Sequence, residues 1–159
     1  MLYLFKVRLN ILDPLILDAL KSYKDKLEDK KEFPLSVSNY KVDKPWGYEQ
    51  WLEINEFYAY KLIFMKAGSQ SSLQMHEFKY ETNFVISGEA KVLLENDNGD
   101  LDEFKFGPCQ GWSVPLKRKH RVIALTDYTS LEVSTPHLDD VVRFADDTNR
   151  PSGKLKKEH

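Results

Sequence analysis

The sequence predicts an all-β domain, an antiparallel sandwich or barrel, preceded by one strand and one amphipathic helix. Two observations lead there. From residue 39 onward nine short apolar runs (48–54, 58–65, 73–76, 81–86, 89–95, 102–106, 111–114, 120–125 and 129–134) show no helical period between them. Turn-forming clusters separate these runs, among them Ser87-Gly88, the stretch from Asn96 to Asp100, Gly107-Pro108 and Thr126-Asp127. Helical periodicity is confined to residues 14–31, where Ile16, Leu20, Tyr23 and Leu27 recur at spacings of four, three and four.

Taken in order, residues 2–11 alternate, with Phe5, Val7, Leu9 and Ile11 on one face and Lys6, Arg8 and Asn10 on the other. Period two reads as a half-buried strand. Asp13 then serves as a helix N-cap, and Pro14 takes the first helical position, where its missing N–H costs nothing. Lysines and acids intermixed over residues 21–32 form the solvated face of that helix. Residues 1–38 are thus an N-terminal extension, 39–150 the β domain and 151–159 a polar tail.

Composition narrows the function classes. The 159 residues are 42% hydrophobic and 30% charged, which suits one globular domain and neither a disordered nor a membrane-built chain. Twenty-three basic against 25 acidic residues leave a net charge of −2, which excludes non-specific nucleic-acid binding, since that needs an excess of phosphate-neutralising charge. A single cysteine, Cys109, excludes an internal disulfide framework and a Cys-rich zinc finger. No apolar run approaches the roughly 20 residues that span a bilayer. The opening MLYLFKVRLNIL is broken by Lys6, Arg8 and Asn10 and no small-residue cleavage site follows, so a soluble cytoplasmic protein is expected.

Four residues carry candidate chemistry: Gln74, His76, Glu81 and His120. Gln74 and His76, two apart on an expected strand, leave from the same face. Glu81 opens the next strand, and His120 opens a later one after the loop Pro115 to Lys119. A small barrel can gather all four at its mouth. Two imidazoles, a carboxylate and an amide oxygen suit a divalent ion, with zinc, iron, manganese and nickel all compatible. Spacing alone leaves a second reading, polar residues decorating strands. His137 reads as a loop residue and His159 as a tail residue.

The stretch Gly68 to Gly88, GSQSSLQMHEFKYETNFVISG, resembles the first motif of the cupin family. His76, Glu81 and Gly88 match it, with Phe78 in place of the second motif histidine. Ser72-Leu73-Gln74-Met75-His76 is similar to the SLQxH motif of type II mannose-6-phosphate isomerases, in which a Gln two residues before the His joins the metal ligands. Gly111 to Pro115 followed by His120-Arg121 resembles the second cupin motif. Lys44-Pro45-Trp46-Gly47-Tyr48-Glu49 is similar to that family's entry segment, and Glu132-Val133 with Asp139-Asp140-Val141-Val142-Arg143 to its ending. The resemblance covers residues 44–150. Departures fall at Lys79-Tyr80-Glu81 (usually Arg-Ala-Glu), Lys117 (usually Gly), Ala124 (usually Asn) and Ser134 (usually Gln).

The resemblance implies a cupin-type β-barrel, or jelly roll, that pairs as a homodimer and holds one divalent metal, zinc first, on Gln74, His76, Glu81 and His120. It implies a stand-alone isomerase converting mannose 6-phosphate to fructose 6-phosphate, the metal acting as Lewis acid and template for a cis-enediol. The base is left open between Glu132 and a neutral Lys79 of depressed pKa, with Arg121 steadying the enediolate. Phosphate capture falls to Lys117, Arg118, Lys119 or Arg143, against the alternative that residues 117–121 are a solvated loop. The substitutions at Lys79 and Ala124 favour a second reading, a metal-containing, sugar-binding cupin without turnover, accessory to nucleotide-sugar metabolism. An iron dioxygenase is disfavoured by Gln74, since such enzymes usually present three histidines.

Overall fold

Eleven strands form the β domain. In chain order they are β1 (Tyr40–Lys44), β2 (Gly47–Ile54), β3 (Ala59–Met65), β4 (Leu73–Met75), β5 (Glu81–Ser87) and β6 (Ala90–Glu95). They continue with β7 (Leu101–Phe106), β8 (Gly111–Val114), β9 (His120–Ala124), β10 (Tyr128–Ser134) and β11 (Val142–Ala145). The computed structural model describes residues 40–153 and 155, so the strand and helix expected within residues 1–38 lie outside the described residues. One sheet has six strands in the order β1-β2-β3-β10-β5-β8, the other five in the order β11-β4-β9-β6-β7. Every pairing is antiparallel, the double-sheet jelly roll that closely spaced short strands predict.

Alternation decides what enters the interior. In β5, Glu81, Asn83 and Val85 are buried while Thr82, Phe84 and Ile86 are exposed. In β10, Tyr128, Ser130, Glu132 and Ser134 are buried. Register then stacks polar on polar: Glu132 sits opposite Lys61 of β3 and Asn83 of β5, whereas Tyr128 sits opposite Met65. The interior therefore divides. Trp46, Met65, Val85, Ala90, Ala124 and Tyr128 make an apolar cluster, and Val92, Trp112 and Val114 a second. Many of the remaining buried positions are polar or charged, among them Lys61, Lys79, Glu81, Asn83, Ser130 and Glu132.

Gly88 shows why one motif position is a glycine. It closes the β5–β6 turn at φ +76°, and a Cβ there would lie 1.9 Å from the Asp127 carbonyl oxygen.

Two strands were not anticipated. β1 and β11 escape a search for apolar alternation because β1 buries only Val42 and β11 buries no residue fully. The polar tail expected from residue 151 does not begin as a free end. Gly153 donates its N–H to the Val141 carbonyl (2.8 Å), Ser152 Oγ accepts the Arg143 N–H (2.9 Å), and Arg143 Nη1 donates to the Pro151 carbonyl (2.5 Å).

Candidate metal centre

Two strand pairs and one loop gather the donors. Gln74 and His120 are direct cross-strand partners between β4 and β9, so their side chains leave from one face. His76 follows one residue beyond β4, and Glu81 opens β5 at the far end of the connecting loop. His76 and His120 are about 1–2% exposed and Glu81 4%. His76 Nε2 lies 3.6 Å from Glu81 Oε2, and His120 Nε2 lies 3.5 Å from Glu81 Oε1. All three donor atoms fall within 4.8 Å of one another. Ligands about 2.1 Å from a shared zinc-like ion in tetrahedral disposition stand about 3.4 Å apart, so these separations fit. The Gln74 amide nitrogen is 3.4 Å from His120 Nε2, and its oxygen accepts a hydrogen bond from Ser72 Oγ at 2.7 Å. Because an amide exchanges its oxygen and nitrogen by a half-turn, Gln74 can offer the centre an oxygen.

Main-chain carbonyls set the histidine tautomers. His76 Nδ1–H donates to the Asp140 carbonyl, and His120 Nδ1–H donates to the Arg118 carbonyl at 3.1 Å. A carbonyl only accepts, so both hydrogens sit on Nδ1 and both Nε2 lone pairs face the centre. His76 Nε2 has no hydrogen-bond partner although it is buried, which is what an intended metal donor leaves behind. Burial, then the nearby Lys79 ammonium, push the His76 pKa down from 6.5 to about 4. Burial likewise lowers that of His120. Both rings are neutral near pH 7, the form that binds metal.

The structure separates the other expected site residues. Lys79 lies between two carboxylates, 2.5 Å from Glu81 Oε2 and 2.8 Å from Glu132 Oε1. Burial works against its charge, but Glu132 and then Glu81 outweigh it and raise the pKa above the ordinary lysine value. The neutral-base role expected for Lys79 is therefore wrong. Glu132 does face the interior, paired with Lys79 and, at 3.9 Å, with Lys61. Arg121 does not, because it neighbours His120 on a strand and points to the opposite face, where Nη2 reaches the Ala145 carbonyl at 3.0 Å. Lys117, Arg118 and Lys119 line no part of the cavity beside the donors. Arg118 binds Asp97, and Lys119 binds Glu95 at 2.7 Å. Only Arg143 of that basic set lines the cavity, with its guanidinium bonded to the Pro151 carbonyl.

Lys117 keeps a left-handed backbone (φ 61°), and its N–H donates to the His76 carbonyl at 2.7 Å. The turn thus retains the conformation of the glycine it replaces. Lys117→Gly is expected to stabilise the fold by about 0.5–1 kcal/mol, the left-handed strain removed less the extra chain entropy of glycine. Urea denaturation measures it, and a destabilised variant would contradict the reading.

Sequence reasoning missed most of the cavity wall. The cavity holds about 100 Å³, and Trp46, Trp51 and Trp112, all three tryptophans of the chain, line it. Lys44, Glu49 and Lys61 extend a buried file of alternating charge, with Glu49 3.7 Å from Lys44 and 3.2 Å from Lys61. A signal existed for Lys61. It is the one charge in β3, among Ala59, Tyr60, Leu62, Ile63, Phe64 and Met65, where a charge has no ordinary reason to be. Asn83 Nδ2, also in the wall, has no protein partner.

Residues 30–146 match the family described as mannose-6-phosphate isomerase C-terminal. The chain belongs to this family. Its cupin-type fold matches that of Bacillus subtilis oxalate decarboxylase with TM-score 0.59 at 19% identity, over 67% of this chain and 30% of that one. It also matches KdgF from Halomonas sp. with TM-score 0.56 at 17% identity, over 68% and 97%.

Curated relatives include a mannose-1-phosphate guanylyltransferase of Escherichia coli strain K12, 33% identical over 66% of this chain and 22% of that protein. They include the xanthan biosynthesis protein XanB of Xanthomonas campestris, 28% identical over 83% and 30%, and the alginate biosynthesis protein AlgA of Pseudomonas putida, 26% over 86% and 30%. The chain spans less than a third of the length of each. Those names are of guanylyl transfer and polysaccharide biosynthesis. They overturn the expected mannose-6-phosphate isomerase activity and favour the alternative reading of the sequence. The site agrees with the correction. Of the two expected bases Lys79 is held as a cation by Glu81 and Glu132, and Arg121, expected to steady the enediolate, faces away.

Proposed function

We propose that this chain is a metal-containing, sugar-binding cupin domain, accessory to nucleotide-sugar metabolism and without turnover of its own. The observation that carries it is the Lys79–Glu132 ion pair, which neutralises against each other the two groups best placed to move a proton. The surroundings suit recognition. Arg150 is taken up by Asp146, and the other four cations (Lys44, Lys61, Lys79 and Arg143) face three carboxylates (Glu49, Glu81 and Glu132), an excess of one that favours a phosphorylated ligand. The tryptophans in the wall offer apolar surface to the C–H groups of a sugar ring, and the Asn83 amide offers a donor for a hydroxyl.

Zinc is the proposed ion, held by His76, Glu81 and His120 with Gln74 as a fourth, neutral ligand. When bound it supplies Lewis-acid attraction for a ligand oxygen. The residues around it bind, orient and exclude water.

With every tryptophan of the chain in the wall, ligand entry is expected to alter the intrinsic emission. Titrating the zinc-loaded protein with mannose 1-phosphate should give a saturable change in tryptophan fluorescence, with a matching heat by calorimetry, while inorganic phosphate alone binds at least tenfold more weakly. No saturable change and no heat would remove the sugar-binding reading.

A further inference from the structure

We propose that Asp140 is a positioning residue for the metal centre, setting through one side chain and one carbonyl the loop that carries both His76 and Glu81. The proposal rests on the reading of His76, Glu81 and His120 as metal ligands. The loop joins β4 to β5, with His76 at one end and Glu81 at the other. Its intervening N–H groups are all taken from the segment 135–140. The Asp140 carboxylate accepts those of Glu77 (3.1 Å), Phe78 (2.6 Å) and Lys79 (2.9 Å), and Thr135 Oγ1 accepts that of Tyr80 (3.1 Å). The carbonyl of the same aspartate holds His76 Nδ1–H.

Three N–H groups converging on one carboxylate are charge-assisted bonds, stronger than neutral ones. They fix the chain direction between two ligands whose donor atoms must stand 3.6 Å apart. The same bonds place Lys79 at its N–H, and hence its ammonium beside Glu81. Asp140 supplies none of the donor atoms, and among the described residues its carboxylate bonds only the N–H groups of the loop. It acts on the geometry of the residues that supply them.

Cobalt(II) tests this, because its visible absorption reports the number and arrangement of its ligands as well as affinity. The wild-type protein is titrated beside Asp140→Ala, Asp140→Asn and Asn55→Ala. Asn55 caps two N–H groups of the β2–β3 turn in the same manner but has no contact with the metal ligands. Asp140→Ala is expected to weaken cobalt binding by about 10–100-fold, the usual effect of removing a residue that orients metal ligands, and to change the absorption bands. Asp140→Asn, which keeps one accepting oxygen, should recover part of both, and Asn55→Ala should bind as wild type. If Asp140→Ala does not fold, wild-type affinity and bands in Asp140→Asn overturn the proposal. So do wild-type affinity and bands in a folded Asp140→Ala, or an equal loss in Asn55→Ala. Failure of the wild-type protein to bind cobalt overturns the metal centre itself, and the positioning role with it.

Discussion

The variant His76→Ala/His120→Ala is expected to lose stoichiometric metal on dialysis, with affinity lower by roughly a thousandfold or more, about 4 kcal/mol. Two of three strong donors are removed, and the two that remain are Glu81, shared with Lys79, and the neutral amide of Gln74. Neither can compensate. Both alanines replace neutral rings, so no uncompensated charge is created, although two small cavities open where the buried imidazoles stood. Elemental analysis and competition with a chromophoric chelator measure the loss, and tryptophan emission checks that the variant stays folded. Wild-type stoichiometry in the folded variant places the site elsewhere.

The second large effect concerns Lys79. Lys79→Met should destabilise the metal-free protein by about 3–5 kcal/mol near pH 7, the cost of leaving buried charge without its partner. Glu81 and Glu132 would both remain, 4% and 6% exposed, with no ammonium between them. The pH dependence has a definite sign. Burial opposes ionisation of Glu81, but Lys79 and the histidines outweigh it and hold its pKa below the ordinary 4.5. Its ionised form therefore contributes stability that is present above about pH 4.5 and fades on acidification. In the variant most of that contribution is absent, so the gap between variant and wild type should shrink as pH falls below about 4.5. Zinc should restore part of the loss by neutralising Glu81, and Lys79→Met/Glu132→Gln should restore another part. Urea denaturation at pH 7 and pH 4 decides it; a variant within 1 kcal/mol of wild type at pH 7 means the file of charges is hydrated rather than buried.

Much of this was open to inspection in the residues. Nine of the strands follow from alternation and turn chemistry, which are local. The grouping of Gln74, His76, Glu81 and His120 follows from motif spacing once a barrel is assumed, and the fold brings them together. Arg121 was misplaced by proximity in sequence. Strand period two, already used to pair Gln74 with His76, sends the neighbour of His120 to the other face. The state of Lys79 was not legible, because its partner Glu132 arrives from a distant strand and only the register of β10 against β3 and β5 brings it near. Asp140 stood in plain view within a recognised segment, yet its work is done through a carbonyl and through N–H groups, which a side-chain reading passes over.

Both histidines are aimed by the carbonyls of Asp140 and Arg118, and a carbonyl is present whatever amino acid occupies the position. The carbonyls thus aim both rings, while the Asp140 carboxylate sets the path of the loop that carries His76. The departures at Lys79, Lys117 and Ala124 leave both imidazoles aimed at the centre.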